Sequence, residues 1–60
     1  MTLKEAREQT GITANGFAQI IGMKPNTYKR IEDAPGTATV DQALRICKAI
    51  GIDVDAIRWA

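Results

Sequence analysis

The sequence predicts an all-α fold, five short helices packed into one compact domain, on three observations. Gly11, Gly22, Pro25, Pro35, Gly36 and Gly51 cut the chain into short units. Each unit carries apolar residues at three- and four-residue spacing, and none alternates apolar with polar residues as a half-buried strand would. Threonine or aspartate stands in front of four of the units, where a side-chain oxygen can cap a helix.

Taken in order, Thr2 caps a first helix over roughly Leu3 to Thr10, with Glu5 in capping-box position and Gly11 as the stop. Leu3, Ala6 and Thr10 share its inner face. Thr13 caps a second helix running through Ile21, ended by Gly22, with Phe17, Ala18 and Ile21 inward. Gly16 weakens that helix by up to ~1 kcal/mol relative to alanine, so packing must hold it. A third helix starts at Pro25, whose missing N–H costs nothing in a first turn, and runs to Asp33 with Tyr28 and Ile31 inward. Residues 33–38 read as a loop from their Pro-Gly pair. Thr39 and Gln42 form a second capping box that opens the longest helix, Val40 to Ile50, with an apolar stripe of Val40, Ala43, Leu44, Cys47 and Ile50. Gly51 ends it, and Asp53 caps a last short helix carrying Val54, Ile57 and Trp59.

Composition removes whole classes of function. Sixty residues make one domain, residues 1–60, with a core too small to surround a deep substrate pocket, so an enzyme is not expected. One cysteine forms no internal disulfide, and a chain without histidine lacks the usual zinc ligands. No carboxylate pair or glycine-rich phosphate loop supports catalysis, so no cofactor, metal or small-molecule substrate is expected. No apolar run approaches a membrane span, and no leader opens the chain, so the expected location is cytoplasmic, without a membrane partner.

A net charge of +1 names no partner, but its distribution does. Lys24, Lys29 and Arg30 fall in one segment without an acid, while Asp33, Asp41, Asp53 and Asp55 all lie further on. The second and third helices are joined by Gly22, Met23 and Lys24 alone, which forces the sharp crossing of a helix-turn-helix. With Tyr28 and Ile31 turned inward, the third helix presents Lys24, Asn26, Lys29 and Arg30 outward. These side chains suit guanine and adenine edges, and the helix, about 12 Å long, matches the width of the DNA major groove.

The stretches "LKEAREQTGIT", "FAQIIGMKPNTYKRIE" and "TVDQALRICKAIGIDVDAI" follow one another in an order and spacing that resembles the lambda-repressor/Cro type of helix-turn-helix domain. The resemblance covers nearly the whole chain, residues 33–38 fitting least. It implies an operator-binding transcriptional regulator of phage or bacterial origin, with its third helix in the major groove of double-stranded DNA. It places Phe17, Ala18, Ile21, Tyr28, Ile31, Leu44, Cys47 and Ile50 in the core, and Arg7 with Glu32 in a largely buried ion pair. Lys24, Asn26, Lys29 and Arg30 fall on base-contacting positions; Lys24 and Pro25 also neighbour the flanking phosphates. Thr13, Asn15, Thr27, Gly36, Thr37 and Thr39 are the expected phosphate contacts.

Two departures lower the expected affinity. Ala14 stands where the family grips a phosphate with glutamine, and the loop "DAPGTA" carries no cation. Perhaps two or three phosphates per subunit are then neutralised, and a weak homodimer on the DNA supplies the remaining affinity. Ile20 and Trp59, with Ile57, are candidate contacts to a second chain; the alternative for Trp59 is folding back over the core. A protein-interaction module on the same fold, of antitoxin or anti-repressor kind, is the other function class these features allow.

Overall fold

The computed structural model describes residues 1–59, which form four α-helices: α1 (Leu3–Glu8), α2 (Ala14–Ile20), α3 (Pro25–Asp33) and α4 (Val40–Ile50). A single 3₁₀ turn at Pro35–Thr37 lies between α3 and α4, and another at Val54–Ala56 follows α4. No strand occurs among the described residues.

Local chemistry sets the helix starts. The Thr2 hydroxyl accepts from the Glu5 N–H at 3.2 Å while Glu5 Oε1 accepts from the Thr2 N–H at 2.9 Å. Thr39 and Gln42 make the same reciprocal pair at 3.1 and 3.0 Å. Each box satisfies donors that the first helical turn leaves without intrahelical partners. Thr13 caps α2 by accepting from the Gly16 N–H at 3.1 Å. Pro25 begins α3 behind Lys24, which offers no side-chain cap.

The structure departs from the sequence reading at four places. The first helix ends at Glu8, and Thr10 is exposed, its hydroxyl donating to the Arg7 carbonyl at 2.6 Å in the turn that leads to Gly11. The second ends at Ile20, with Ile21 as its C-cap. A fifth α-helix is absent from the described residues: Asp53 makes no side-chain cap, and only one 3₁₀ turn forms before Ile57 becomes extended. The physical reason lies at the other end of the chain, where the Met1 carbonyl accepts from the Arg58 N–H at 2.8 Å and draws this segment out. Finally, Val40 and Leu44 are not core residues; they are 76% and 51% exposed. The buried face of α4 is Ala43, Ile46 and Cys47, with Ile50 half-buried beside them, and Leu44 lies about 100° around the helix from its centre.

Leu3, Phe17, Tyr28 and Ile46 are the largest fully buried side chains, one from each helix, so the four helices share one core. The Phe17 and Tyr28 rings meet at 5.2 Å with a 48° tilt, locking α2 to α3. Ile57 and the half-buried Trp59 close the core from the C-terminal side, where the indole N–H donates to the Val54 carbonyl at 2.8 Å.

Candidate nucleic-acid interface

The junction of α2 and α3 is set by Gly22. Its φ of +69° is the left-handed conformation that glycine enters without a Cβ clash. The Met23 N–H then donates to the Ala18 carbonyl at 2.8 Å and the Gly22 N–H to the Gln19 carbonyl at 3.2 Å. These two bonds close a Schellman C-cap on α2 and turn the chain straight into α3.

A second restraint fixes α3 against α1. Arg7 Nε donates to Glu32 Oε2 at 2.6 Å, Nη2 to Oε1 at 3.3 Å, and Nη1 to the Ile12 carbonyl at 2.7 Å. The two side chains are only 10% and 7% exposed. One guanidinium therefore ties α1, the approach to α2 and the end of α3 together. Its hydrogen bonds to Glu32 hold Arg7 still more firmly protonated than usual. Tyr28 lies beside this pair with its hydroxyl buried and without a hydrogen-bond partner. Burial, aided by the Glu32 carboxylate, pushes its phenol above the ordinary range.

With α3 held on its Tyr28–Ile31 side, Lys24, Pro25, Asn26, Lys29 and Arg30 are all exposed, and Thr27 is half-buried. None of the three cations is in an ion pair among the described residues. The face is thus a row of unneutralised donors on a rigid rod.

At its C-terminal flank the structure brings Thr27, Arg30, Thr37 and Thr39 together around a cleft of about 290 Å³, joined by Ile31 and Gln42. The donors there are unequal. Thr39 accepts as N-cap and keeps its hydroxyl proton free, whereas Thr37 donates both its N–H and its hydroxyl to the Ala34 carbonyl, at 3.0 and 2.7 Å. Gln42 was missing from the expected contacts. Its Oε1 is used in the capping box, which leaves its amide NH₂ available at the cleft. The capping-box pattern was the signal that could have found it. Gly36, expected at a phosphate, is exposed, and a Cβ there would come within 3.0 Å of the Trp59 carbonyl. Thr13 and Asn15 are exposed at the start of α2, outside this cleft.

The three candidate partner residues separate. Ile20 is 62% exposed, Trp59 is half-buried, and Ile57 is only 5% exposed, a core residue that cannot reach a second chain without unfolding. Among the described residues no three His, Cys, Asp or Glu side chains gather as a metal site requires. No helix is long and apolar enough to cross a membrane.

The tight α2–α3 turn and the outward basic helix coincide with a family match: the helix-turn-helix model matches residues 3–57. The chain belongs to the lambda-repressor-like helix-turn-helix family. No curated protein and no solved structure matches it. In this helix-turn-helix domain α2 and α3 are the two motif helices, and the match extends over all four helices and both 3₁₀ turns. The family is one of DNA-binding regulators, so double-stranded DNA is the partner class that membership supports.

Proposed function

We propose that this protein is a sequence-specific transcriptional regulator of the repressor/Cro kind that reads the DNA major groove with α3. The observation that carries the reading is the α3 face. Lys24, Asn26, Lys29 and Arg30 are exposed on one helix whose opposite side is bolted into the core by Tyr28 and Ile31. Arginine or lysine donates to guanine O6 and N7, and asparagine pairs with adenine N6 and N7, each good pair being worth about 1–3 kcal/mol of discrimination.

Phosphates hold this helix in register. Arg30, Thr27, Thr39 and Gln42 surround a cleft that fits a phosphate oxygen, and Thr13 with Asn15 offers donors on the other flank. Thr37 ranks below them because its donors are already used, and Gly36 contributes its backbone N–H alone. Two or three phosphates neutralised per subunit give a log–log salt slope of about −2 to −3. That is shallow for an operator binder. A pair of subunits on two half-sites about 34 Å apart then supplies the affinity and the specificity.

Binding of duplex DNA by wild-type protein and the Lys29→Ala and Arg30→Ala variants at several salt concentrations tests this reading. Each substitution is expected to cost about 1–3 kcal/mol of specific binding with helicity unchanged. Affinity untouched in both variants would remove α3 as the reading element.

A further inference from the structure

Away from α3, a groove of about 260 Å³ runs between the Pro35–Thr37 turn, the first half of α4 and Trp59. Val40 and Leu44, one helical turn apart and largely exposed, form an apolar ridge along its edge. On the other side of Leu44 the helix carries Asp41 in its first turn and Lys48 in its last. Seven residues separate these two charges, so they share a face with Leu44 between them.

We propose that this face binds a second copy of the chain, α4 against α4, antiparallel about a two-fold axis at Leu44. Charge selects the occupant. An isologous contact sets a surface against itself, so it must be self-complementary. At 1.5 Å per residue Asp41 lies about 4.5 Å before Leu44 and Lys48 about 6 Å after it. An antiparallel pair centred on Leu44 therefore puts each Asp41 within about 1.5 Å, along the axis, of Lys48 on the other copy. A parallel pair would set Asp41 over Asp41 and Lys48 over Lys48. The apolar centre is Leu44 on Leu44, with Val40 laid along the aliphatic stem of Lys48.

Area sets the strength. A stable dimer buries about 800 Å² on each partner, roughly a fifth of the 3923 Å² that this domain exposes. One helix face with two apolar side chains and a groove mouth supplies less. The contact is therefore weak in free solution and is completed where DNA holds two copies side by side. That use rests on the function proposed above; the contact itself does not.

Sedimentation equilibrium of the intact chain at low salt, without DNA, tests the contact. The dimer fraction is expected to rise between about 0.1 and 2 mM, the weak range for so small an interface. Leu44→Asp, at an exposed position, should stay monomeric throughout with an unchanged circular dichroism spectrum. Asp41→Lys and Lys48→Asp should each weaken association at least threefold, and the double variant should return it to within about twofold of wild type. Both charge reversals oppose the helix dipole, so the double variant is the poorer helix and its recovery cannot come from helix stability. A wild-type chain monomeric to 2 mM, a Leu44→Asp variant that still associates, or a double variant that stays weak would each overturn the proposal. DNA binding can fail in its own assay without altering any of these readings.

Discussion

Replacing Glu32 with alanine should bring this domain close to unfolding. A domain of this length has a total stability of about 3–9 kcal/mol, from roughly 0.05–0.15 kcal/mol per residue. Glu32 accepts two hydrogen bonds from a guanidinium whose side chain is 10% exposed. Without it, Arg7 keeps only its bond to the Ile12 carbonyl and remains a desolvated charge. Breaking such a pair from one side costs about 3–5 kcal/mol, half or more of the total. Removing both charges is different: Arg7→Met with Glu32→Leu leaves no stranded ion and should recover most of the loss, short of about 1 kcal/mol for the orphaned Ile12 carbonyl. Urea denaturation followed by circular dichroism on wild type, Glu32→Ala and the double variant gives all three values. If Glu32→Ala costs less than about 1 kcal/mol, the pair behaves as a solvated surface pair. If the double variant is no more stable than Glu32→Ala, the stranded-charge account is wrong.

Other outcomes follow from the same structure. Tyr28→Phe removes a buried hydroxyl that has no hydrogen-bond partner, and urea melts should show a gain of about 1 kcal/mol; a loss would mean that the hydroxyl is bonded in solution. Burial pushes the Tyr28 phenol and the Cys47 thiol above their ordinary values of 10.0 and 9.0. The unfolded chain therefore releases these protons at lower pH than the folded one, so stability is complete below about pH 9 and falls above it. Urea midpoints at pH 8 and pH 10.5 check this, with a smaller drop expected in Tyr28→Phe; a midpoint that rises would reverse the sign. Gly22→Ala forces a Cβ into φ +69° and should cost about 1–2 kcal/mol, whereas no loss on thermal melting would mean that the α2–α3 turn relaxes.

Much of the fold is legible locally because its punctuation is chemical. Thr39 with Gln42, Pro25 and Gly51 mark starts and stops that depend on neighbours a few residues away, and α3 and α4 fall where these residues put them. What escapes depends on partners far along the chain. In α4 two apolar stripes lie side by side, Val40–Leu44 and Ala43–Ile46–Cys47–Ile50, and the helix alone does not say which turns inward. Packing buries the second and leaves the first as a ridge. The Asp53 segment has the local pattern of a helix start, yet the bond from Arg58 to Met1 ends it after one turn. The α3 cations are readable for the same local reason as their helix. The Gln42 corner of the cleft is not, because it exists only where α4 approaches α3.

Selection of bound duplexes from a random pool, run on the wild-type chain at two salt concentrations and repeated with Lys29→Ala and Arg30→Ala, tests the α3 reading most directly. Two related half-sites about 34 Å apart should be enriched, with preference lost at particular positions in each variant. A pool left unenriched by the wild type, or a motif identical in all three proteins, would contradict it.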